Sequence, residues 1–431
     1  MTELLKSLLD KLNSVSAWII SKEERNTAEL FLIKDKVDMN RACETLEYSV
    51  RLFVDFAENG SKYKGDATVI ISGADSPEEI EEKLQKAALA AGFVRNPWYD
   101  LPADSGEEVK KPETFQSIAD LKAHFDEIHH ILYKEYPYSS KMNSCELFAI
   151  ESHRHVLTSK GVDVAHDKSE FLFEIVTDSS QGKEPVEIFN DYTLTSVDLK
   201  KLEQIVDKQL METEGRALAV RNPKYENIRV ILSGDAVEEF FYFYWEQANA
   251  AAVYQQMSRA RLGERFLAED AREHLNLRIN PALKTAINAA PVDAEGTKLK
   301  AYPLIEDGVV KNFVTSAKFA QYLNIPHLGQ SAQFEMDGGS ESLSHYTQGE
   351  YIEILVFSSF LVDSATGSFG GEFRLAKHVK DGKVQYITGG SISENIFHVQ
   401  NTMHFSKELE ARKNTLTPKA LILDGVTVAG E

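Results

Sequence analysis

The sequence predicts an α+β fold of two domains: an N-terminal mixed α/β domain with an antiparallel sheet, and a C-terminal strand-rich domain. The chain has 431 residues, more than one hydrophobic core usually supports. Apolar and polar residues alternate through residues 17–54, and short apolar runs separated by glycines continue from residue 290 onward. Residues 235–260 have the pattern of one long helix, which we expect at the centre of the second domain. The predicted domains are residues 1–200 and 201–431.

Local signals place the elements of the first domain. Leucines at helical spacing between Leu4 and Leu12 predict an N-terminal helix whose apolar face packs on a sheet. Ser76, followed by Pro77 and two glutamates, is typical of a helix N-terminus, and this helix should continue to about residue 91. The other expected elements are a strand at 68–72, a surface loop at 95–113, a helix at 115–134, strands at 145–158 and 163–177, a loop at 178–187 and a helix at 196–211.

The composition disfavours some classes of binding partner and indicates a cellular compartment. Lys and Arg total 47 against 67 Asp and Glu, a net charge of −20 that disfavours binding to nucleic acid or to an anionic membrane. Cys43 and Cys145 are the only cysteines and cannot form a disulfide framework, so a reducing cytoplasm is the expected location. Charges interrupt the N-terminal leucines, so no signal-peptide core is predicted, and no apolar run is long enough to span a bilayer.

Four blocks in the second half resemble the TldD/PmbA family, and they follow that family's order. They are PVDAEG at 291–296 with LIEDGVVKNF from 304, DSATGSF at 363–369, GGSISEN at 389–395 and ALILDGVTVAG at 420–430. Each block alone is an unspecific turn-plus-strand pattern, whereas four in order at plausible spacing are specific. The first half is similar more loosely. The resemblance therefore spans nearly the whole chain and implies a two-domain TldD/PmbA-like fold.

The resemblance also implies where a metal site would lie. Active TldD-type members are zinc peptidases with an HExxxH motif on the long helix and a cysteine ligand near the C-terminus. Imidazole and thiolate hold Zn²⁺, and the glutamate moves a proton of the metal-bound water. The corresponding stretch here runs from Trp245 to Ala250, so both histidines are replaced and only Glu246 is kept. No cysteine follows residue 390. We therefore expect no metal, no cofactor and no confident catalytic residue on this chain.

Other candidate residues give weaker signals. The segment HFDEIHH at 124–130 matches neither HExxH nor HxxEH spacing, so a solvent-facing helix of mixed charge is the favoured interpretation. His153 and His155 share one face of a strand, but no third ligand accompanies them. Ser391 and Ser393 lack a GxSxG elbow and an identifiable base. The glycine pairs at 370–371 and 389–390 are interpreted as tight strand connections.

The favoured function is that of a non-metal, TldE/PmbA-like subunit that assists a metal-bearing TldD-type subunit in cleaving unfolded peptides. Two alternatives stay open: a stand-alone hydrolase or metallopeptidase with a divergent site, and a non-catalytic homodimeric peptide-binding protein. The family's older label, modulator of DNA gyrase, does not imply DNA contact at this net charge. Residues 352–362 are apolar on both faces and predict dimerisation through the second half, as a homodimer or a heterodimer.

Overall fold

The computed structural model describes residues 1–111 and 115–430. Within these residues the helices are α1 (Thr2–Lys11), α2 (Pro77–Ala91), α3 (Ile118–Ala123), α4 (Phe125–Tyr133), α5 (Leu199–Ala217), α6 (Asp235–Gln247), α7 (Ala250–Tyr254), α8 (Ala317–Leu323), α9 (Leu343–Tyr346) and α10 (Ile396–Val399). None of these helices is long and apolar enough to cross a membrane.

The first half folds around one antiparallel sheet. Its strands are β1 (Ala17–Ile33), β2 (Lys36–Glu58), β3 (Ser61–Ser72), β4 (Asn96–Pro97), β5 (Lys141–Thr158), β6 (Asp163–Ser179) and β7 (Val186–Leu194). Their spatial order is β4-β3-β2-β1-β5-β6-β7, and each neighbouring pair is antiparallel. Because side chains alternate along a strand, one face of the sheet is apolar. Ile20 and Val50 pack there against α1 and α2, and Leu147 and Phe173 pack against α4 and α5.

The alternation through residues 17–54 predicts strands of the antiparallel sheet, and the structure has two long strands there, β1 and most of β2. Polar residues that looked like breaks lie inside β1, because β2 and β5 pair with it on both edges over that stretch. Glu23, for example, forms an ion pair with Arg154 of β5 at 2.9 Å. Backbone pairing on both sides and a cross-strand ion pair therefore keep this polar stretch extended.

The start of α2 is confirmed in atomic detail. The Ser76 hydroxyl accepts a 3.3 Å hydrogen bond from the Glu79 amide, and the Glu79 carboxylate accepts a 2.8 Å bond from the Ser76 amide. This reciprocal capping box satisfies two amides that the first helical turn cannot. The helix predicted for 115–134 is instead two helices, because His124 ends α3 with its amide bonded three residues back, to Leu121. The loop predicted for 178–187 contains the start of β7.

The second half contains two sheets. Its strands are β8 (Val220–Arg221), β9 (Tyr225–Ser233), β10 (Leu277–Ile279), β11 (Tyr302–Glu306), β12 (Val309–Val310), β13 (Phe334–Met336), β14 (Tyr351–Val362), β15 (Ser368–Lys380), β16 (Lys383–Thr388), β17 (Gly390–Asn395), β18 (His404–Phe405), β19 (Leu409–Arg412), β20 (Thr415–Pro418) and β21 (Ala420–Gly430). The smaller sheet has the order β12-β11-β10-β13-β20-β19. The larger has the order β14-β9-β21-β17-β15-β16-β8, with β18 pairing to β21. Because β14 also pairs with β15, five of these strands close into a ring.

Helix α6 lies in the core between the two sheets, at the central position predicted for it. The single helix predicted for 235–260 is wrong in length, since α6 ends at Gln247 and only the short α7 follows. Asn249 forms a parallel bridge with Val314, and its side chain caps α7 by accepting a bond from the Ala251 amide. The chain must leave the helix to make this bridge, so helical periodicity in the sequence overestimates the helix.

Helix α5 connects the two halves. Its apolar face, including Leu202 and Val206, packs on the first sheet, while its other contacts include β15 and β16 of the second half. The predicted domain boundary at residue 200 falls in the first turn of this helix and stays a prediction.

Candidate functional site

Trp245 occupies the first ligand position of the motif segment 245–250 as a buried structural residue. It is 8% exposed, and its indole Nε1–H donates a 2.9 Å hydrogen bond to the carbonyl of Ser331. Tyr242, one turn earlier on α6, stacks on the indole with ring centroids 4.9 Å apart and an interplanar angle of 24°. An indole N–H only donates and cannot ligate a metal. Trp245 therefore packs α6 against the segment between α8 and β13.

Ala250 occupies the second ligand position inside a backbone bridge. Its amide donates a 2.9 Å hydrogen bond to the carbonyl of Val314, whose own amide donates to the carbonyl of Ala248 at 2.9 Å. Both alanines are fully buried. A histidine side chain at position 250 would have to displace close-packed neighbours, which makes the substitution costly.

Glu246, the retained motif residue, lies half-buried on the face of α6 that also carries Glu239 and Tyr242. Burial raises the pKa of its carboxyl, and the negative charge of Glu239 raises that pKa further. Burial and the Glu246 charge also raise the pKa of the Tyr242 hydroxyl. These surroundings disfavour negative charge at Glu246.

The aromatic residues before the motif, at positions 240–244, pack in the core. Phe240, Phe241, Phe243 and Tyr244 are each at most 1% exposed. Phe240 contacts Phe369 of β15 edge to face, with ring centroids 5.3 Å apart, and the Tyr244 hydroxyl donates to Gln400 at 3.3 Å. The helix that bears the motif is thereby fixed between the sheets.

The residues on this helix do not fit the family's zinc site. Tetrahedral zinc takes nitrogen, sulfur or carboxylate ligands from three or four residues at about 2.0–2.3 Å. Here Trp245 presents an N–H donor, Ala250 no heteroatom and Glu246 a single carboxylate. Across residues 1–111 and 115–430, no group of three or more His, Cys, Asp or Glu side chains is arranged to hold a metal.

Comparison with known protein families identifies the domain that contains this helix. Residues 225–430, which include α6 and all four sequence blocks, match the family model of the PmbA/TldA metallopeptidase C-terminal domain. Residues 225–430 therefore form a domain of the TldD/PmbA family.

Solved structures with the same fold cover the whole chain. TldE from Thermococcus kodakarensis aligns with a TM-score of 0.79 at 18% identity, over 100% of both chains. Proposed modulators of DNA gyrase from Thermotoga maritima MSB8 and Bacteroides thetaiotaomicron VPI-5482 align with TM-scores of 0.77 and 0.79 at 15% and 14% identity. These two alignments cover 100% of this chain and 100% and 99% of the other chains. The likeness confirms the predicted TldD/PmbA-like α+β fold.

One curated relative is an uncharacterised protein of Methanocaldococcus jannaschii. It is 21% identical over 284 residues, which are 62% of this chain and 64% of that protein. The match therefore spans less than two thirds of the relative's length.

The family block PVDAEG joins the two halves of the chain, a role that the sequence did not reveal. The buried Asp293 carboxylate accepts hydrogen bonds from the amides of Glu295 and Thr297, both at 2.9 Å, and organises the turn. Glu295, also buried, accepts a 2.8 Å bond from the amide of Ala317 at the start of α8. Its other carboxylate oxygen lies 3.7 Å from the guanidinium of Arg51 on β2. The sequence shows two acidic residues before a glycine, which was the available signal for this role. It does not show their partners, because those residues are distant in the chain.

The two histidines of β5 share a face, as predicted, and carboxylates already engage them. His153 lies 2.7 Å from Asp167 and 2.8 Å from Glu151, and His155 lies 2.6 Å from Asp163. The hydrogen bond to Asp167 raises the pKa of His153. A metal at this face would first have to displace these contacts.

The segment 124–130 is a surface of mixed charge, as predicted. His124 contacts Glu127 at 2.8 Å, and both side chains are well exposed. His129 turns away from them, with Nε2 at 3.1 Å from the carbonyl of Asp35 in the β1–β2 turn. The structure does not bring these side chains together as ligands.

The glycine pairs differ from each other. Gly389 has a φ of +72° and joins β16 to β17, as predicted. Gly370 and Gly371 lie inside β15, so their interpretation as a strand connection is wrong. A Cβ on Gly370 would meet the carbonyl oxygen of Ile392 at 2.5 Å, and one on Gly371 would meet that of Ser359 at 2.2 Å. Close approach of the neighbouring strands therefore requires these glycines.

Proposed function

We propose that this chain is the non-metal subunit of a two-chain, TldD/TldE-type peptidase and assists a metal-bearing TldD-type partner in cleaving unfolded peptides. The observation that carries the proposal is the structural use of the motif positions. Trp245 donates its N–H to Ser331, and Ala250 is fixed in the backbone bridge to Val314. The family fold around these positions is retained, and its likeness to TldE supports the same type of subunit.

A free strand edge offers a place for an extended peptide. Strand β14 pairs with β9 only over Tyr351–Ile354, so between Leu355 and Val362 one of its edges has no strand partner within the described residues. Extended peptides add to such edges through backbone hydrogen bonds. Ile352 and Ile354, which share one face of β14, are fully buried, whereas Leu361 is 69% exposed, so the predicted burial of both faces does not extend along the whole segment. Dimerisation through residues 352–362 stays a prediction.

Mixing this chain with a metal-bearing TldD-type chain tests the proposed function. We expect the mixture to cleave an unstructured, fluorescently labelled peptide several-fold faster than the partner alone, and this chain alone to show no cleavage. A complex of the two chains should appear in sedimentation experiments. Equal rates with and without this chain, together with no complex, would contradict the proposal. Cleavage by this chain alone would favour the stand-alone hydrolase.

We predict that the purified chain holds no stoichiometric zinc. Trp245 and Ala250 cannot supply ligands, and the two histidines of β5 are engaged by carboxylates. Elemental analysis after dialysis against a metal-free buffer is the measurement, with a TldD-type chain treated in parallel as the positive control. About one zinc per chain that survives dialysis, the stoichiometry of a structural or catalytic site, would contradict the prediction.

We also predict that Glu246→Gln leaves partner-stimulated cleavage nearly unchanged. Glu246 is half-buried, and burial and the charge of Glu239 both disfavour its ionised form, so replacing its carboxyl by an amide of the same shape should alter neither packing nor chemistry. The rate of the mixed assay is the measurement, and Glu239→Gln on the same helix face is the matched control. A loss on the order of 100-fold for Glu246→Gln alone is the scale of general acid–base catalysis and would make the residue catalytic.

A further inference from the structure

A cavity of about 340 Å³ opens on the second half of the chain, where β15 changes partner. Up to Phe373 the strand pairs with β17, and from Ala376 it pairs with β16, so the two neighbours diverge around Arg374. The glycines of the β16–β17 connection and the end of β21 form the walls. The residues lining the cavity are Ser358, Glu372, Phe373, Arg374, Thr388, Gly389, Gly390, Ser391, Ala429 and Gly430.

The cavity carries one acidic and one basic side chain, and neither has an ion-pair partner within the described residues. Glu372 and Arg374 are two residues apart in β15, so they extend from the same face of the strand. They do not pair with each other. Among the residues that the structure describes, Arg374 donates one hydrogen bond to a neutral group, from Nε to the Ser358 hydroxyl at 3.2 Å. Further along the same strand, by contrast, Lys377 pairs with Glu353 at 2.7 Å.

A second guanidinium, that of Arg216, lies near Arg374 but outside the residues that line the cavity, and it donates a hydrogen bond to the carbonyl of Glu187. Arg216 of α5 is partly buried, and its pKa is lowered first by that burial and then by the charge of Arg374. An anionic group beside Arg374 would relieve this repulsion. In a chain of net charge −20, two neighbouring arginines with no bridging carboxylate among residues 1–111 and 115–430 are an unusual feature.

We propose that this cavity binds a small zwitterion, a free α-amino acid or a dipeptide, with its ammonium group at Glu372 and its carboxylate at Arg374. Ligand pockets usually measure about 300–1,000 Å³, so this cavity suits a ligand at the small end of that range. The hydroxyls of Ser358 and Ser391 and the backbone of Gly389 and Gly390 provide further polar contacts.

The zwitterion site is separate from the motif helix and does not rest on the proposed function. Helix α6 contacts β15 at Phe369, and Arg374 lies five residues further along that strand, roughly 17 Å away at 3.3 Å per residue. The binding test below uses this chain alone, so its failure leaves the partner assay unaffected.

Saturation-transfer NMR with the purified chain tests the proposal. The probes are the twenty free amino acids and dialanine, followed by the N-acetyl and amide derivatives of each compound that binds. We expect at least one zwitterion to bind and each blocked derivative to bind at least about tenfold more weakly, because charge-assisted hydrogen bonds are the strong ones. Binding of single amino acids but not of dialanine would identify a free α-amino acid as the ligand. Binding of dialanine but not of single amino acids would identify a dipeptide.

Two substitutions assign the two ends of the ligand. Glu372→Gln should remove the preference for the ligand with a free ammonium group over its N-acetyl derivative. Arg374→Gln should remove the preference for the ligand with a free carboxylate over its amide derivative. Lys383→Gln and Glu264→Gln, at exposed positions outside the cavity, are the charge-matched controls. Because Glu372 and Arg374 are both exposed, circular dichroism should show a native fold in each variant. Binding of no probe, equal binding of blocked forms, or binding unaffected by both substitutions would overturn the proposal.

Discussion

Trp245→Ala is expected to lower the free energy of unfolding by about 3–5 kcal/mol, the usual cost of truncating a large buried aromatic side chain. The substitution removes the indole from between Tyr242 and the segment that contains Ser331, and it leaves the Ser331 carbonyl without its donor. Urea unfolding followed by far-UV circular dichroism is the measurement. The result would show that the first ligand position of the family motif serves stability in this chain.

Trp245→Phe separates packing from hydrogen bonding. Phenylalanine keeps most of the buried ring and loses only the N–H, so the expected cost falls to about 1–2 kcal/mol. A loss below about 1 kcal/mol for Trp245→Ala, much less than a packed core site allows, would mean that the indole lies in an open cleft. The assignment of a structural role to position 245 would then fail.

His166 is expected to make the stability of the chain fall in mild acid. It lies on β6 opposite Arg154 and is 4% exposed, and neither ring nitrogen has a hydrogen-bond partner in the described residues. Burial, followed by the charges of Arg154 and Lys168, lowers its pKa to about 4. The unfolded chain, with a histidine pKa of about 6.5, therefore binds more protons between pH 6.5 and pH 4. The free energy of unfolding that neutral His166 contributes is therefore fully present above pH 6.5, and it is lost as the pH falls from 6.5 to 4.

His166→Phe should remove this component of the acid sensitivity. Between pH 7 and pH 4 we expect the wild-type chain to lose about 3 kcal/mol more unfolding free energy than the variant. His153→Asn is the control of opposite sign, because the bond to Asp167 raises the pKa of His153 and its contribution disappears as the pH rises. Parallel pH profiles for wild type and His166→Phe would show that His166 is solvated or hydrogen-bonded in the native state.

Much of the fold could be predicted because local chemistry determines it. The capping box at Ser76 and Glu79 depends on residues three apart, and the alternation in β5 and β6 reflects burial of one sheet face. The replaced motif positions, Trp245 and Ala250, are also visible in the sequence, since a ligand is identified by residue type. Sequence therefore determined the α+β class, the family and the replaced ligands.

Only the tertiary structure decided how those positions are used, because the partners lie far apart in the chain. Asn249 ends the long helix by bridging Val314, and Glu295 reaches both Ala317 and Arg51 across the two halves. The cavity that contains Glu372 and Arg374 results from two strands diverging beside β15. Periodicity and motif spacing describe neighbours along the chain, whereas these contacts are fixed by sheet pairing and packing. For that reason the sequence determined which residues are present, and only the fold decided which of them meet.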